Sequence, residues 1–434
     1  MVLLLNPNNK IKSIMFLLLL TLVIVTPTNP HNIYEISTST NSFSKITYSG
    51  VMQAYLFASP DCSYSALSSL LQKANESIFI ELYSFSNPFL LDILGNLSVK
   101  GVNIKIILQE NHASYYENQY TYWTAYELYN RGVDVYWASD EFTFTHAKYV
   151  IIDNATVIVM SENWAKSGIP IDPSYGNRGW GIAINNSDVA EYYLDVFIYD
   201  LSIAEPYDSA SVSHGKSVSY SVPKGDYEPI ASLEELKEYM KVTPILSPDF
   251  SEQLIIDLIN SANESLLIEQ MYIYPTLTNI IDAVISAKNR GVEVKVLLDP
   301  RSDKNNETAQ VLINAGIDVA LANTSYYGSD HLFETMHNKG VIIDHKITLI
   351  SSINWSPTSL RENREVGIII NNENVAQYYE ELFMHDWNNA AEYLHGEPTE
   401  TPPPSNEEQL RYLIMAAVVV FLLIALFIIK KKYL

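Results

Sequence analysis

The chain has 434 residues, enough for two domains with sizeable cores. An apolar share of 47% with 12% aromatics excludes a mostly disordered protein. A net charge of −23 argues against a broad basic nucleic-acid surface, though a small positive cleft inside an acidic shell fits it. The single cysteine, Cys62, excludes an internal disulfide and a paired-cysteine zinc cluster.

At the N-terminus, Lys10 and Lys12 precede an apolar run over residues 14–25 and a polar break, Thr26-Pro27-Thr28-Asn29-Pro30. That order predicts a signal peptide or N-terminal anchor over residues 1–30. The chain then repeats itself. Ser59-Pro60-Asp61 recurs as Ser247-Pro248-Asp249, and Asn75-Glu76-Ser77 recurs at the same spacing as Asn263-Glu264-Ser265. Gly181-Ile182 with Asn185-Asn186 answers Gly367-Ile368 with Asn371-Asn372. The period is far too long for a solenoid, so it marks two homologous units, 50–201 and 247–389, joined by a linker over 202–246.

Within the second unit, the spacing of Leu254, Ile255, Leu258 and Ile259 predicts a helix over 250–262, followed by a strand over 266–274. A helix over 277–290 is closed by Gly291 as a left-handed cap, and a buried strand follows over 292–298. A strand over 366–370 and a helix through Trp387 close the unit. This alternation predicts an α/β fold with helices on a largely parallel sheet. Beyond it, a proline-rich tether (390–409) leads to an apolar run (410–429) of membrane-spanning length and a basic tail (430–434). Lys430, Lys431 and Lys432 predict a cytoplasmic tail and an external folded region. Sequons at Asn75, Asn96, Asn263 and Asn306 are compatible with that placement. The expectation is a single-pass cell-membrane protein.

The chemistry lies in a doubled motif. Residues 146–163 place His146, Lys148, Asp153, Ser161 and Asn163 along two short strands joined by a turn. Residues 337–354 place His337, Lys339, Asp344, Ser352 and Asn354 at the same internal spacings. On a strand, residues two apart share a face, so each His lies beside its Lys and each Ser beside its Asn. Asp153 and Asp344 fall on the opposite face and are read as supports for the strand. An imidazole attacks or shuttles protons, while ammonium and carboxamide groups hold phosphoryl oxygens as charge shifts. The set calls for no metal and no cofactor.

The doubled pattern resembles the phospholipase D superfamily, whose signature reads His-x-Lys-x4-Asp-x6-Gly-Ser-x-Asn and occurs twice in two-domain members. Both copies match at His, Lys, Asp, Ser and Asn, and depart at the Gly, which is Met160 in one and Ser351 in the other. The resemblance spans about residues 59–387. It implies two homologous α/β/α sandwich domains related by a pseudo-twofold axis, with one active site between them. It also implies a phosphohistidine on His146, with His337 as acid and base. Lys148, Lys339, Asn163 and Asn354 would bind the phosphoryl oxygens, with Ser161 and Ser352 assisting. The family tends to carry a carboxylate downstream of each motif. Asn363-Arg364-Glu365 supplies Glu365, whereas Asn177-Arg178-Gly179 has glycine there. Which His meets Glu365 stays open, and Asp172 is the candidate substitute on the other side.

The remaining histidines His112, His331, His345 and His385 read as structural or surface residues. The aromatic segment 115–129 reads as a helix packed on the core in preference to a substrate path. Trp164 and Trp355 either flank the site or fill the core. Three functions compete. The first is an external, membrane-tethered phosphodiesterase that hydrolyses or transfers phospholipid headgroups, favoured by the tether and the lack of basic runs. The second is an extracellular nuclease, which calls for a basic groove with aromatic platforms. The third is a catalytically inactive binding protein, kept open by Gly179 and the altered Gly positions.

Overall fold

Two copies of one α/β pattern follow each other in the computed structural model, which describes residues 43–210 and 214–394. In the first copy, β1 (Tyr48–Ser59), α1 (Ser63–Leu71), β2 (Ser77–Leu82), α2 (Pro88–Val99), β3 (Asn103–Leu108), α3 (Tyr115–Asn130) and β4 (Asp134–Trp137) alternate. A hairpin of β5 (Lys148–Ile152) and β6 (Thr156–Met160) follows, then β7 (Gly179–Asn185) and α4 (Ser187–Ile203). After β8 (Glu205–Pro206), the second copy opens with β9 (Glu234–Ser247), α5 (Ser251–Asn260), β10 (Ser265–Gln270), α6 (Thr278–Asn289), β11 (Glu293–Leu298), α7 (Asp303–Asn314) and β12 (Asp318–Leu321). The hairpin β13 (Lys339–Ile343) and β14 (Ile347–Ser351) then leads through α8 (Pro357–Arg361) to β15 (Glu365–Asn371), α9 (Glu373–Asn388) and β16 (Glu392–Leu394). The stretch 202–246 thus holds β8 and most of β9 as well as a connection.

The expected signal segment, apolar run and basic tail, with nearly all of the tether, lie outside the described residues. Among the described residues no helix is long and apolar enough to cross a membrane.

Local chemistry sets the element ends. Asn87 accepts bonds from the amides of Phe89 and Leu90 at the start of α2, where Pro88 needs no partner for a missing N–H. Asn186 and Asn372 cap α4 and α9 in the same way, through Val189 and Val375. Gly291 closes α6 at φ +93°, a left-handed position as expected.

The strands form one sheet in the order β16-β12-β11-β10-β13-β14-β15-β9-β1-β7-β6-β5-β2-β3-β4-β8. Read outward from its centre, each strand faces its repeat equivalent, with β1 and β9 paired antiparallel at the middle. The expectation of a largely parallel sheet is corrected. Only β2-β3-β4 and β10-β11-β12 run parallel, and the other pairings are antiparallel. Tight turns permit nothing else for the motif hairpins. Asp153 and Asn154, and likewise Asp344 and His345, take φ between +51° and +57°, the twist of a type I′ turn.

Helices cover the sheet on both sides. One core is shared by the halves: Tyr149, Val159, Ile182 and Tyr193 meet Ile342, Ile350, Ile368 and Tyr379. Two outer cores lie under α1–α3 and under α5–α7. Each fully buried Leu or Ile contributes about 1.5–3 kcal/mol, so the shared layer holds the halves together. Polar bonds fix its register: Tyr193 donates to the Gly367 carbonyl (2.7 Å) and Tyr379 to that of Gly181 (2.6 Å). The aromatic helix packs on the core as expected, with Tyr122, Trp123 and Tyr126 against it. α3 packs through Thr121, Thr124, Ala125 and Leu128, while Tyr115 and Tyr116 are about two-thirds exposed. Small residues let the helix approach the sheet, and the half-buried Tyr122 keeps a partner for its hydroxyl in Glu110 (3.2 Å).

Candidate active site

Each motif hairpin is pinned at its turn. Asp153 accepts the amides of Asn75, Glu76 and Ser77 at 2.8–2.9 Å, and Asp344 accepts those of Asn263, Glu264 and Ser265 at 2.8–3.0 Å. Burial alone would raise the pKa of these carboxyls, but the backbone bonds outweigh it and hold both below their usual range. As expected, they support strands, from the turn and at a distance from the imidazoles.

The imidazoles are held across the duplication. The His146 amide donates to the carbonyl of Arg364 (2.8 Å), and the His337 amide to that of Arg178 (2.9 Å). The His146 ring bonds through Nδ1 to Glu365 at 2.8 Å, which answers the question left open by the sequence. His337 Nδ1 lies 3.2 Å from Glu162, without the alignment of a hydrogen bond. Asp172 is therefore corrected as the substitute: it accepts from Ser174 and pairs with Lys224. The partner came from inside the first motif, between Ser161 and Asn163, where the second motif has Ile353.

Two buried arginines clamp this arrangement. Arg178 forks onto Asp386 of α9 (2.6 and 3.0 Å) and also reaches Asp61 and the Ser59 carbonyl. Tyr227, from the connecting segment, bonds both Arg178 and Asp61 at 2.9 Å. Arg364 repeats the pattern with Asp200 of α4, Asp249 and the Ser247 carbonyl. Each arginine side chain thus ties its own strand to a helix of the other half, while its carbonyl holds the other half's histidine.

Known families share this plan. The family model described as "Cardiolipin synthase, PLD-like domain" matches twice, over residues 67–201 and 255–387. The chain belongs to the phospholipase D-like family. A phospholipase D of Rickettsia felis is 31% identical over 176 residues, covering 40% of this chain and 79% of that protein. Cardiolipin synthase A of Yersinia pseudotuberculosis is 23% identical, covering 52% of this chain and 45% of that one. The structure of Haemophilus influenzae phosphatidylserine synthase superposes with a TM-score of 0.60 at 15% identity, over 86% of this chain and 96% of that one, and so shares the fold.

In this phospholipase D-like chain the four reactive groups lie within electrostatic reach of one another. Burial lowers the pKa of Lys148 to about 8 and of Lys339 to about 7, against the opposing pull of Glu365 and Glu162. Each ammonium donates to the carbonyl of its own motif histidine. Burial also lowers His146, to about 4, and Lys339 adds to that effect from the other half. His337 is lowered by burial and then by Lys339, with Lys148 contributing across the site.

The supporting residues sort themselves. Asn163 and Asn354 keep an unpaired, buried Oδ1 among the described residues, so their carboxamides remain available to a ligand. Ser161 and Ser352 are fully buried. Ser161 accepts the Trp180 amide (3.0 Å), and Ser352 donates to Glu365 (2.6 Å), so both hold β7, β15 and the carboxylate instead of lining the site as expected. Met160 packs in the core, and the Ser351 hydroxyl donates to the Lys339 carbonyl (3.0 Å). Trp164 and Trp355 are fully buried and fill the core.

Sequence reasoning missed one wall of the site. Tyr83 meets the His146 ring edge-on at 4.7 Å and lies 5.6 Å from the Lys148 ammonium. His112 packs behind Tyr83, bonded to its carbonyl, which is a structural role as expected. His331, His345 and His385 sit apart, beside Glu334, Glu380 and Asp386. Among the described residues no group of three or more His, Cys, Asp or Glu is placed to hold a metal ion.

Proposed function

We propose that this chain is a phosphodiesterase that works through a phosphohistidine and acts on phospholipid headgroups. The observation that carries the reading is the reciprocal pairing: each motif imidazole has its Nδ1 beside a carboxylate, and both share a site with two lysines. Glu365 fixes the Nδ1–H tautomer of His146, which leaves the Nε2 lone pair for attack on phosphorus. The low pKa keeps that imidazole neutral and competent at physiological pH.

In the first step, His146 Nε2 forms a bond to phosphorus while the bond to the leaving alkoxide breaks, and His337 supplies the proton that makes it an alcohol. In the second step His337 takes a proton from water, or from an acceptor alcohol, whose oxygen attacks phosphorus and releases His146. A bound phosphodiester anion raises the pKa of His337, which lets it carry the proton this cycle needs. Lys148, Lys339, Asn163 and Asn354 stabilise the equatorial oxygens.

The lipid assignment draws support from the description of the matching family model and from relatives named phospholipase D and cardiolipin synthase. The apolar run 410–429 supports a second element of the reading, an enzyme tethered beside a bilayer with its folded region outside. The test is a side-by-side assay of the full chain on phospholipid vesicles and on single- and double-stranded nucleic acid. Headgroup release or transfer, lost in His146→Ala, is the expected result. Cleavage confined to nucleic acid would replace the lipid reading with the nuclease one, and inertness on both would favour a binding protein.

A further inference from the structure

The two halves reach the same local arrangement from different backbone positions. In the second half, Glu365 starts β15, accepts from Asn363 Nδ2 (3.2 Å) and Ser352 Oγ (2.6 Å), and meets His146 Nδ1. Its repeat equivalent, Gly179, starts β7 with no side chain. Glu162 instead arrives from the end of the first motif. It accepts from Asn177 Nδ2 (3.0 Å), the repeat equivalent of Asn363, and stands beside His337 Nδ1. The carboxylate therefore has the same asparagine and the same imidazole nitrogen as neighbours, with a different Cα behind it.

Gly179 explains how this fits. A Cβ built there would come closer than 3.0 Å to Glu162 Oε1, Glu162 Cγ and Ser161 Oγ. Its φ lies outside the left-handed range, so space and not backbone freedom demands the glycine. In the second half the exchange runs the other way: Ile353 is fully buried at the position of Glu162, and Glu365 occupies the position of Gly179.

Resting on the phosphodiesterase reading above, we propose that Glu162 is the positioning residue of His337 and that positions 162 and 179 form one exchangeable unit. Glu162 holds Nδ1 of His337 so that Nε2 faces the leaving oxygen. A merely structural Glu162, or one that only offsets the Lys339 charge, would affect all substrates alike. In the first step, a positioning residue for the general acid matters only where the leaving group needs a proton, whereas release of His146 by water needs His337 with either substrate.

The experiment compares Glu162→Gln, Gly179→Glu and the double variant Glu162→Ile with Gly179→Glu, which copies the second half. Two substrates separate the roles: a short-chain phospholipid, whose alcohol needs a proton, and bis(4-nitrophenyl) phosphate, whose nitrophenolate leaves without one. Glu162→Gln is expected to slow the first step, read as leaving-group release in a single-turnover burst, about 100-fold on the phospholipid and about threefold or less on the nitrophenyl ester. Gly179→Glu alone should lose activity through crowding, and the double variant should recover to within about tenfold of the parent chain. Equal first-step losses on both substrates, or a double variant no better than Glu162→Gln, would overturn the proposal. Nitrogen-15 spectra of labelled histidines give a readout that needs no turnover. His337 should hold its Nδ1–H tautomer in the parent chain, lose it in Glu162→Gln and regain it in the double variant. An unchanged His337 tautomer in Glu162→Gln overturns the positioning role, whereas a parent chain inert on both substrates refutes only the phosphodiesterase reading.

Discussion

His146 and His337 occupy equivalent places on β5 and β13 sides of the sheet, yet they rest on different surroundings. His146 has an aligned bond to a carboxylate and an aromatic ring set edge-on beside it. His337 has a carboxylate at 3.2 Å out of line, and its lysine lies 4.0 Å from the sulfur of Met271, where the other half has Tyr83. The comparison teaches that duplication within one chain fixes the strand positions while leaving each half free to specialise. On the mechanism proposed above, the imidazole that forms the bond to phosphorus is the more tightly held. On the same mechanism, the one that moves protons keeps more latitude.

The sharpest way to break that comparison is to remove each imidazole in turn. His146→Ala is expected to lower turnover by about 10⁴-fold or more, the scale seen when a member of a covalent machinery is lost. His337→Ala should retain the first step with a nitrophenyl ester and accumulate the 4-nitrophenyl phosphoryl group on His146, seen by acid quench and peptide mapping. Label trapped on residue 337 in a chain that keeps both histidines would reverse the two roles.

The arginine clamps, by contrast, are built alike, so their loss should be nearly symmetric. Arg178→Met strands Asp386 and Asp61, and Arg364→Met strands Asp200 and Asp249. Each is expected to cost about 3–5 kcal/mol in a denaturant titration, because a buried charge is left without its partner. A large difference between the two would show that the halves differ in stability as well as in chemistry.

Glu365→Gln tests the tighter side directly. The variant should slow the first step about 10- to 100-fold, and it should do so on the nitrophenyl ester too, since it misplaces the nucleophile itself. Comparable sensitivity of that substrate to Glu162→Gln would erase the distinction between the halves.

How much of this was written in the sequence depends on which residues carry it. The motif hairpins and the duplication were legible, because strand parity and repeated spacing are local, whereas the convergence of the two His-x-Lys pairs was implied only by the family resemblance. Glu162 was not, because it sits where the repeat breaks: Ile353 is its counterpart, and the clue was a carboxylate gained inside one motif beside a carboxylate missing at Gly179. The clamps escaped notice because Arg178–Asp386 and Arg364–Asp200 join residues far apart in the chain. The parallel sheet was over-read because the alternating helices occur in only part of each unit. In α3 the packing was legible and its division was not: Thr121, Thr124 and Ala125 are buried, Tyr122, Trp123 and Tyr126 lie half-buried on the core, and Tyr115 and Tyr116 face water.

The smallest expected effect concerns the two lysines, which differ in degree. Both are driven down by burial, Lys339 to about 7 and Lys148 to about 8, because Lys148 opposes the charge on Lys339. The ammonium is the form that holds a phosphoryl group, so KM should rise as pH climbs through 7 and again through 8, by about tenfold or less per pH unit at each step. Lys339→Met should remove the lower step and Lys148→Met the upper one. The stability effect has the opposite sense. The unfolded chain keeps a lysine proton up to about pH 10.4, so the folded state carries the full cost of the buried charge below pH 7. That cost fades as pH rises from 7 toward 10.4. Lys339→Met should therefore raise the melting temperature more at pH 6 than at pH 9, and by more than Lys148→Met does. Equal gains for the two, or a gain that grows with pH, would show that the lysines share one environment and that the asymmetry ends at the imidazoles.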